Sequence, residues 1–174
     1  MSEQEQNTPL RIGRGMLVLG WALGIGLLAL LFSGVLAQQH NPNRQLGTVL
    51  SEDGAREVVL QRNRAGHYLA TGHINGQRVE FLLDTGASDV SIPAELARRL
   101  GLHPGRPRLY HTANGQITAY DTRLDELALG GIALREVRAS INPHMDGETI
   151  LLGMSFLRHL EFTQRGDSLI IRQY

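Results

Sequence analysis

Residues 79–88 read Val79-Glu80-Phe81-Leu82-Leu83-Asp84-Thr85-Gly86-Ala87-Ser88. Val79, Phe81 and Leu83 fall on one side of an extended chain, with Glu80 and Asp84 on the other. The run therefore predicts a strand that ends on a carboxylate. A carboxylate at the end of a buried strand is costly unless something satisfies or uses it. Gly86 lets another backbone approach closely, and the Thr85 hydroxyl can brace the turn. An acid so placed suits a pair of carboxylates sharing one proton, an arrangement that can activate water. The tripeptide Asp84-Thr85-Gly86 is short, and its surroundings decide how it is read.

Outward from this run the chain reads as strands and turns. Residues 57–62 and 66–74 are expected as strands, and Asn75-Gly76 is a two-residue turn into a strand over 77–84. Pro93 suits a first helical turn, Leu96 and Leu100 lie one turn apart, and Gly101 can close the helix. Glu95 and Arg99 are expected to pair across one turn of it. Ala113-Asn114-Gly115-Gln116 turns a strand over 109–112 into one over 117–120. Gly130-Gly131 turns residues 124–129 into 132–141, where Val137, Ala139 and Ile141 alternate with Arg138 and Ser140. Residues 149–152 make a short apolar strand that Gly153 releases into a helix over 154–160, with Ser155 a helix-start residue. Arg165-Gly166-Asp167 leads into a last strand over 168–172. Short strands at regular spacing with turn residues between them predict an all-β unit, a small barrel or sandwich.

The 174-residue chain divides before this unit. Residues 1–15 form an N-terminal tail. Residues 16–37 carry no charge and are long enough to cross a hydrocarbon core of about 30 Å as one helix. Arg11 and Arg14 precede the span and Arg44 follows it, which favours a cytoplasmic tail and a domain outside. Val35-Leu36-Ala37 would also serve as a signal-peptide cleavage site, which would give a soluble secreted form; the length of the apolar stretch favours a retained anchor. Gly20-Trp21-Ala22-Leu23-Gly24 matches the small-residue pattern of associating membrane helices. Residues 38–56, with Asn41-Pro42-Asn43, Gly47 and Ser51-Glu52-Asp53-Gly54, read as a linker. Residues 57–174 suffice for one compact domain and contain no internal repeat.

Several chemistries are excluded or disfavoured. There is no cysteine, so no disulfide scaffold or thiolate zinc site can form. All seventeen basic residues are arginine and the formal net charge is zero, with no basic run to hold nucleic acid. The seven histidines lack metal-ligand spacing. Leu157 stands where a nucleophile elbow around Ser155 would need glycine.

Four segments resemble the retropepsin-like aspartic proteases, particularly their membrane-anchored bacterial branch. They are Phe81 to Ser88, the helix-like Pro93-Ala94-Glu95-Leu96-Ala97-Arg98-Arg99-Leu100-Gly101, the hairpin Thr112-Ala113-Asn114-Gly115-Gln116, and Ile150-Leu151-Leu152-Gly153-Met154-Ser155-Phe156-Leu157. The resemblance implies a small closed β-barrel with two short helices, and an aspartic endopeptidase that uses water without metal or cofactor. Asp84 would be the catalytic acid, carried on a loop with Thr85, Gly86, Ala87 and Ser88. Thr112, Ala113, Asn114, Gly115 and Gln116 would form a flap over a polypeptide substrate, and Leu151, Leu152 and Gly153 would support the loop. One such acid per chain implies a homodimer in which Asp84 meets Asp84 of the second copy. The bacterial branch implies a single-pass protein of the inner membrane with its domain in the periplasm. The chain departs from viral members at Met154, where they carry arginine, which weakens the case for an intersubunit ion pair there. Ala87 leaves out the serine that pepsin-like enzymes place beside the acid. A reading of another class, a dimeric peptide-binding module without turnover, fits the same motif.

Overall fold

The structure is a computed structural model that describes residues 8–112 and 115–174, with residues 8–14 described by their backbone alone. The chain divides into two units, the first ending at Gln38 and the second beginning at Gln39. In the first, a helix α1 (Thr8–His40) includes one stretch, Gly15–His40, long and apolar enough to cross a membrane. Its apolar side chains from Met16 to Leu36 are exposed, a surface that calls for lipid rather than water.

The second unit is all-β with two short helices. Its elements are β1 (Thr48–Leu50), β2 (Arg56–Gln61), β3 (Leu69–Ile74), β4 (Gln77–Leu83), β5 (Val90–Pro93), α2 (Ala94–Arg99), β6 (Pro107–Thr112), β7 (Gly115–Leu129), β8 (Ile132–Asn142), β9 (Thr149–Leu152), α3 (Met154–Leu157), β10 (Glu161–Arg165) and β11 (Ser168–Gln173). Seven strands form one sheet in the order β3-β4-β9-β5-β8-β7-β6, and four form another in the order β1-β2-β11-β10. His73 and Ile74 of β3 also pair with Ala128 and Leu127 of β7, so the large sheet curls until its first strand meets its last but one. These two residue pairs draw the barrel together without closing its full length. Val58 and Leu60 of β2 and Leu169 and Ile171 of β11 join Phe81, Ile92, Leu124, Ile150 and Phe156 in one buried core. The small sheet thus covers the open side of the large one.

The alternation read in residues 79–83 is realised in β4, where Val79 and Phe81 are buried. Asn75 and Gly76 both take positive φ, the conformation of a two-residue hairpin turn, and β3 and β4 pair on either side of it. Other expectations are corrected. The helix after Gly153 ends at Leu157 rather than Leu160, and the chain then turns into β10, an exposed strand with no apolar alternation to announce it. Strand β5, four residues ending at Pro93, the residue expected to open the helix, is not among the expected strands. Glu95 pairs with Arg98 and Arg99 with Glu148, in place of the expected Glu95–Arg99 pair.

The segment 38–56 carries more structure than its composition suggests. Thr48–Leu50 pairs with β2, and Asn41 and Asn43 are buried. Asn43 Nδ2 donates to the carbonyls of Gln61 and Leu69 at 2.9 and 2.6 Å. Its Oδ1 accepts the Gln61 N–H at 2.7 Å, and its backbone carbonyl accepts the Thr71 N–H. The side chain thus satisfies backbone groups of both β2 and β3 where no strand covers them. Asn43→Ala strands these buried groups and is expected to destabilise the second unit by about 2–4 kcal/mol. The midpoint of urea unfolding checks this, and an unchanged midpoint would remove Asn43 from that role.

Candidate active site

Strand order dictates the position of the Asp84 loop. β9 lies between β4 and β5, parallel to β4 with Leu83 beside Leu152, and touching β5 at Ser91 beside Leu151. Residues 84–89 join β4 to β5, so they must arch over the end of β9. Gly153 sits beneath that arch. A Cβ there would lie 2.2 Å from the Asp89 carbonyl oxygen and 2.6 Å from that of Ala87, which no side chain tolerates. The Asp84 N–H donates to the Leu152 carbonyl at 3.2 Å. The N–H groups of Met154 and Ser155, at the start of α3, donate to the carbonyls of Ala87 and Ser88 at 2.8 and 2.9 Å. The loop is therefore held from below by the end of β9 and the first turn of α3.

Within the arch Asp84 Oδ1 accepts the Gly86 N–H at 2.9 Å. Asp84 is half-buried, and Thr85, Gly86 and Ser88 are exposed at the surface of the loop. Among the described residues Asp84 has no salt bridge, and its Oδ2 has no hydrogen bond. It opens into a cavity of about 450 Å³ whose lining includes Gly86, Ala87, Ser88, Ile117 and Leu151. The β6–β7 hairpin contributes Tyr110, His111 and Thr112 to the same cavity. Thr112 and Gly115 are paired at the end of the hairpin, with Thr112 Oγ1 donating to the Gly115 carbonyl at 2.8 Å. Gln116 Nε2 lies 3.4 Å from His111 Nδ1. Ala113 and Asn114, the expected tip, lie outside the described residues. The structure thus brings Asp84, Gly86, Ala87, Ser88, Thr112 and Leu151 to one cavity, with Leu152 and Gly153 packed behind the loop. A cavity of similar size beside α2, about 440 Å³, is lined by Ala97, Leu102, Tyr120 and Ile141 and holds no carboxylate.

A second acid in the cleft has a different role. Asp89 is 4 % exposed. Its Oδ1 accepts from Nε and Nη2 of Arg138 on β8, each at 2.7 Å, and its Oδ2 accepts from the Tyr110 hydroxyl at 2.8 Å. Buried charge is tolerated only when paired in this way. Ser155, at the start of α3 as expected, also ties that helix to β5 and β8, its Oγ donating to the Arg138 carbonyl at 2.7 Å and accepting the Val90 N–H at 2.9 Å. Asp89, Tyr110, Arg138 and Ser155 together fasten the stem of the hairpin, the loop, β8 and α3. Sequence reading missed this group, because four polar residues spread over 67 positions of chain carry no spacing signal. The only hint was an acid directly after the Ala87-Ser88 pair.

Burial, and then the hydrogen bond to Asp89, push the Tyr110 phenol up to about 12 from an ordinary 10.0. A raised phenol pKa means the folded chain favours the neutral form. The stabilisation it brings is whole below pH 10 and is lost as pH rises through about 12. The stability difference between wild type and Tyr110→Phe should therefore be constant at neutral pH and shrink between about pH 10 and 12. A difference that persists unchanged to the upper limit would show that the hydroxyl does not bind Asp89.

Residues 70–159 match the family described as gag-polyprotein putative aspartyl protease. Two curated relatives are an uncharacterized protein from the cobV 5′ region of Sinorhizobium sp, 36% identical over 71% of this chain, and an uncharacterized protein of Rickettsia prowazekii (strain Madrid E), 29% identical over 68%. The aligned part covers 55% and 52% of those proteins, so the chain spans about half the length of the curated relatives it matches. Among solved structures, a retropepsin-like aspartic protease from Rickettsia conorii is similar at a TM-score of 0.59 and 29% identity, over 74% of this chain and 96% of that one.

Proposed function

The chain belongs to the gag-polyprotein putative aspartyl protease family, and from that membership we propose that it is an aspartic endopeptidase working as a homodimer. The observation that carries this reading is the contrast between the two acids of the cleft. Asp89 has both oxygens engaged by Arg138 and Tyr110, whereas Asp84 keeps Oδ2 uncommitted at the cavity. One uncommitted carboxylate per copy is half of what the chemistry needs, and a twofold partner supplies the other half.

In the assembled site one Asp84 takes a proton from the attacking water. The Asp84 of the second copy, protonated, hydrogen-bonds the scissile carbonyl and later helps deliver a proton to the departing amine. An extended substrate lies beneath the β6–β7 hairpin, held by main-chain hydrogen bonds as an added strand. Thr85 grips the facing loop of the partner, and Gly86 leaves room for the substrate backbone. Residues 16–37 anchor the protein in the inner membrane, with the all-β unit in the periplasm, as the arginines at 11 and 14 favour.

Asp84→Asn keeps the shape of the side chain and removes the base. With the full-length chain in detergent and an unfolded protein as substrate, it should lower kcat/KM by at least about 10²–10⁴-fold. Mixing equal amounts of wild type and mutant, with time to exchange, should leave about one quarter of the activity rather than one half, since only one dimer in four holds two acids. Activity that follows simple dilution would argue against a shared site. Absence of any cleavage sensitive to a statine-type inhibitor would favour the binding module instead.

A further inference from the structure

We infer that the floor of the Asp84 cleft is a specificity subsite for a carboxamide side chain, asparagine or glutamine, in the peptide substrate; this rests on the peptidase reading above. The floor is the end of β8 with its neighbours. Parallel pairing sets Ser91 beside Ser140 and Pro93 beside Asn142, and Ser140 and Asn142, two residues apart on one strand, present side chains to the same face. Both line the cavity that Asp84 opens into, as does Ser91.

Asn142 is 9 % exposed, and its Oδ1 accepts the N–H of His144 at 2.9 Å. That contact fixes which way the amide points. Its Nδ2 finds no acceptor among the described residues, and Asn142 lines the cavity, so a donor remains for whatever fills the cleft. Ser140 is 3 % exposed and its hydroxyl donates toward the Tyr110 phenol, which leaves its oxygen as an acceptor, and Ser91 Oγ makes only a weak contact to Met145 Sδ at 3.7 Å. The floor therefore offers an amide donor together with hydroxyl oxygens that can accept.

These groups discriminate among side chains. An aliphatic side chain would cover the Asn142 donor without satisfying it, the situation in which a polar site rejects an apolar analogue most strongly. A carboxylate could accept from Nδ2 but could not donate to the hydroxyl oxygens, and it would share the cleft with Asp84. Among the described residues no arginine lines the cavity to compensate it, and nearby Arg138 is committed to Asp89. A carboxamide offers an acceptor to Asn142 and donors to Ser140 or Ser91, with no charge to repel.

The test uses the full-length chain in detergent and a peptide series varied at each position flanking the cut, carrying Gln, Leu or Glu. At one position kcat/KM should be about tenfold higher for Gln than for Leu or Glu. Asn142→Asp keeps the acceptor for His144 and removes the donors, and it should erase the preference for Gln over Leu. If that variant fails to fold, Ser140→Ala should cut the preference about threefold. Leu cleaved as well as Gln at every position overturns the inference while leaving the peptidase intact. If no peptide is cut at all, the peptidase reading fails. Binding of the same series to the Asp84→Asn chain, followed by fluorescence anisotropy, then judges the floor separately. Gln peptides that bind no tighter than Leu peptides would refute it.

Discussion

The site depends on one steric constraint, the absence of a side chain at Gly153. Strands β4 and β5 are separated by β9, so the loop between them has to cross the end of that strand. The crossing is possible only because Gly153 carries no Cβ, which would lie 2.2 Å from the Asp89 carbonyl oxygen and 2.6 Å from that of Ala87. The same descent places the first N–H groups of α3 under the loop, where they bond the carbonyls of Ala87 and Ser88. Backbone contacts therefore set the height of the Asp84 loop. That is a stiffer mounting than side-chain packing gives, since it contains no rotamer to relax.

A second consequence follows for charge. Two aspartates five residues apart line one cleft, yet their surroundings differ. Asp89 is anchored by a guanidinium and a phenol and holds elements together. Asp84 receives one backbone N–H and faces open space. A cation beside Asp84 would hold it permanently ionised and spoil any sharing of a proton between two such acids. Arg138, the arginine tied into the Asp89 network, is held on Asp89 by two short contacts. The network that braces the hairpin stem also keeps that guanidinium committed away from Asp84.

Much of this was legible in the sequence because it is local. Strand β4, the Asn75-Gly76 turn, α2 with its closing Gly101, and the Leu151-Leu152-Gly153 descent all announce themselves through alternation or through residues with special backbone freedom. Asp84 stood out for the same reason, as an acid ending an apolar run. What was hidden is non-local. Arg138 occupies an ordinary outward position of an alternating strand, and Tyr110 looks like any residue of a hairpin. Nothing in either stretch points to Asp89. The brevity of α3 was hidden as well, because Phe156, Leu157 and Leu160 have helical spacing while the chain beyond Leu157 is drawn away into the second sheet. Asn41 and Asn43 read as turn formers, and only the paired edges of β2 and β3 explain why both are buried.

That last feature bears on how the protein can be trimmed. A stretch rich in Asn, Pro, Gly and Asp normally marks where proteolysis can separate two parts without harm. Here the stretch contributes a buried amide and a short strand to the all-β unit. A cut after Ala37 would leave that unit with its full set of backbone partners. A cut anywhere between Asn43 and Arg56 would take the amide away and leave the edges of β2 and β3 bare. A cut that leaves the all-β unit intact therefore has to fall on the helix side of Asn41.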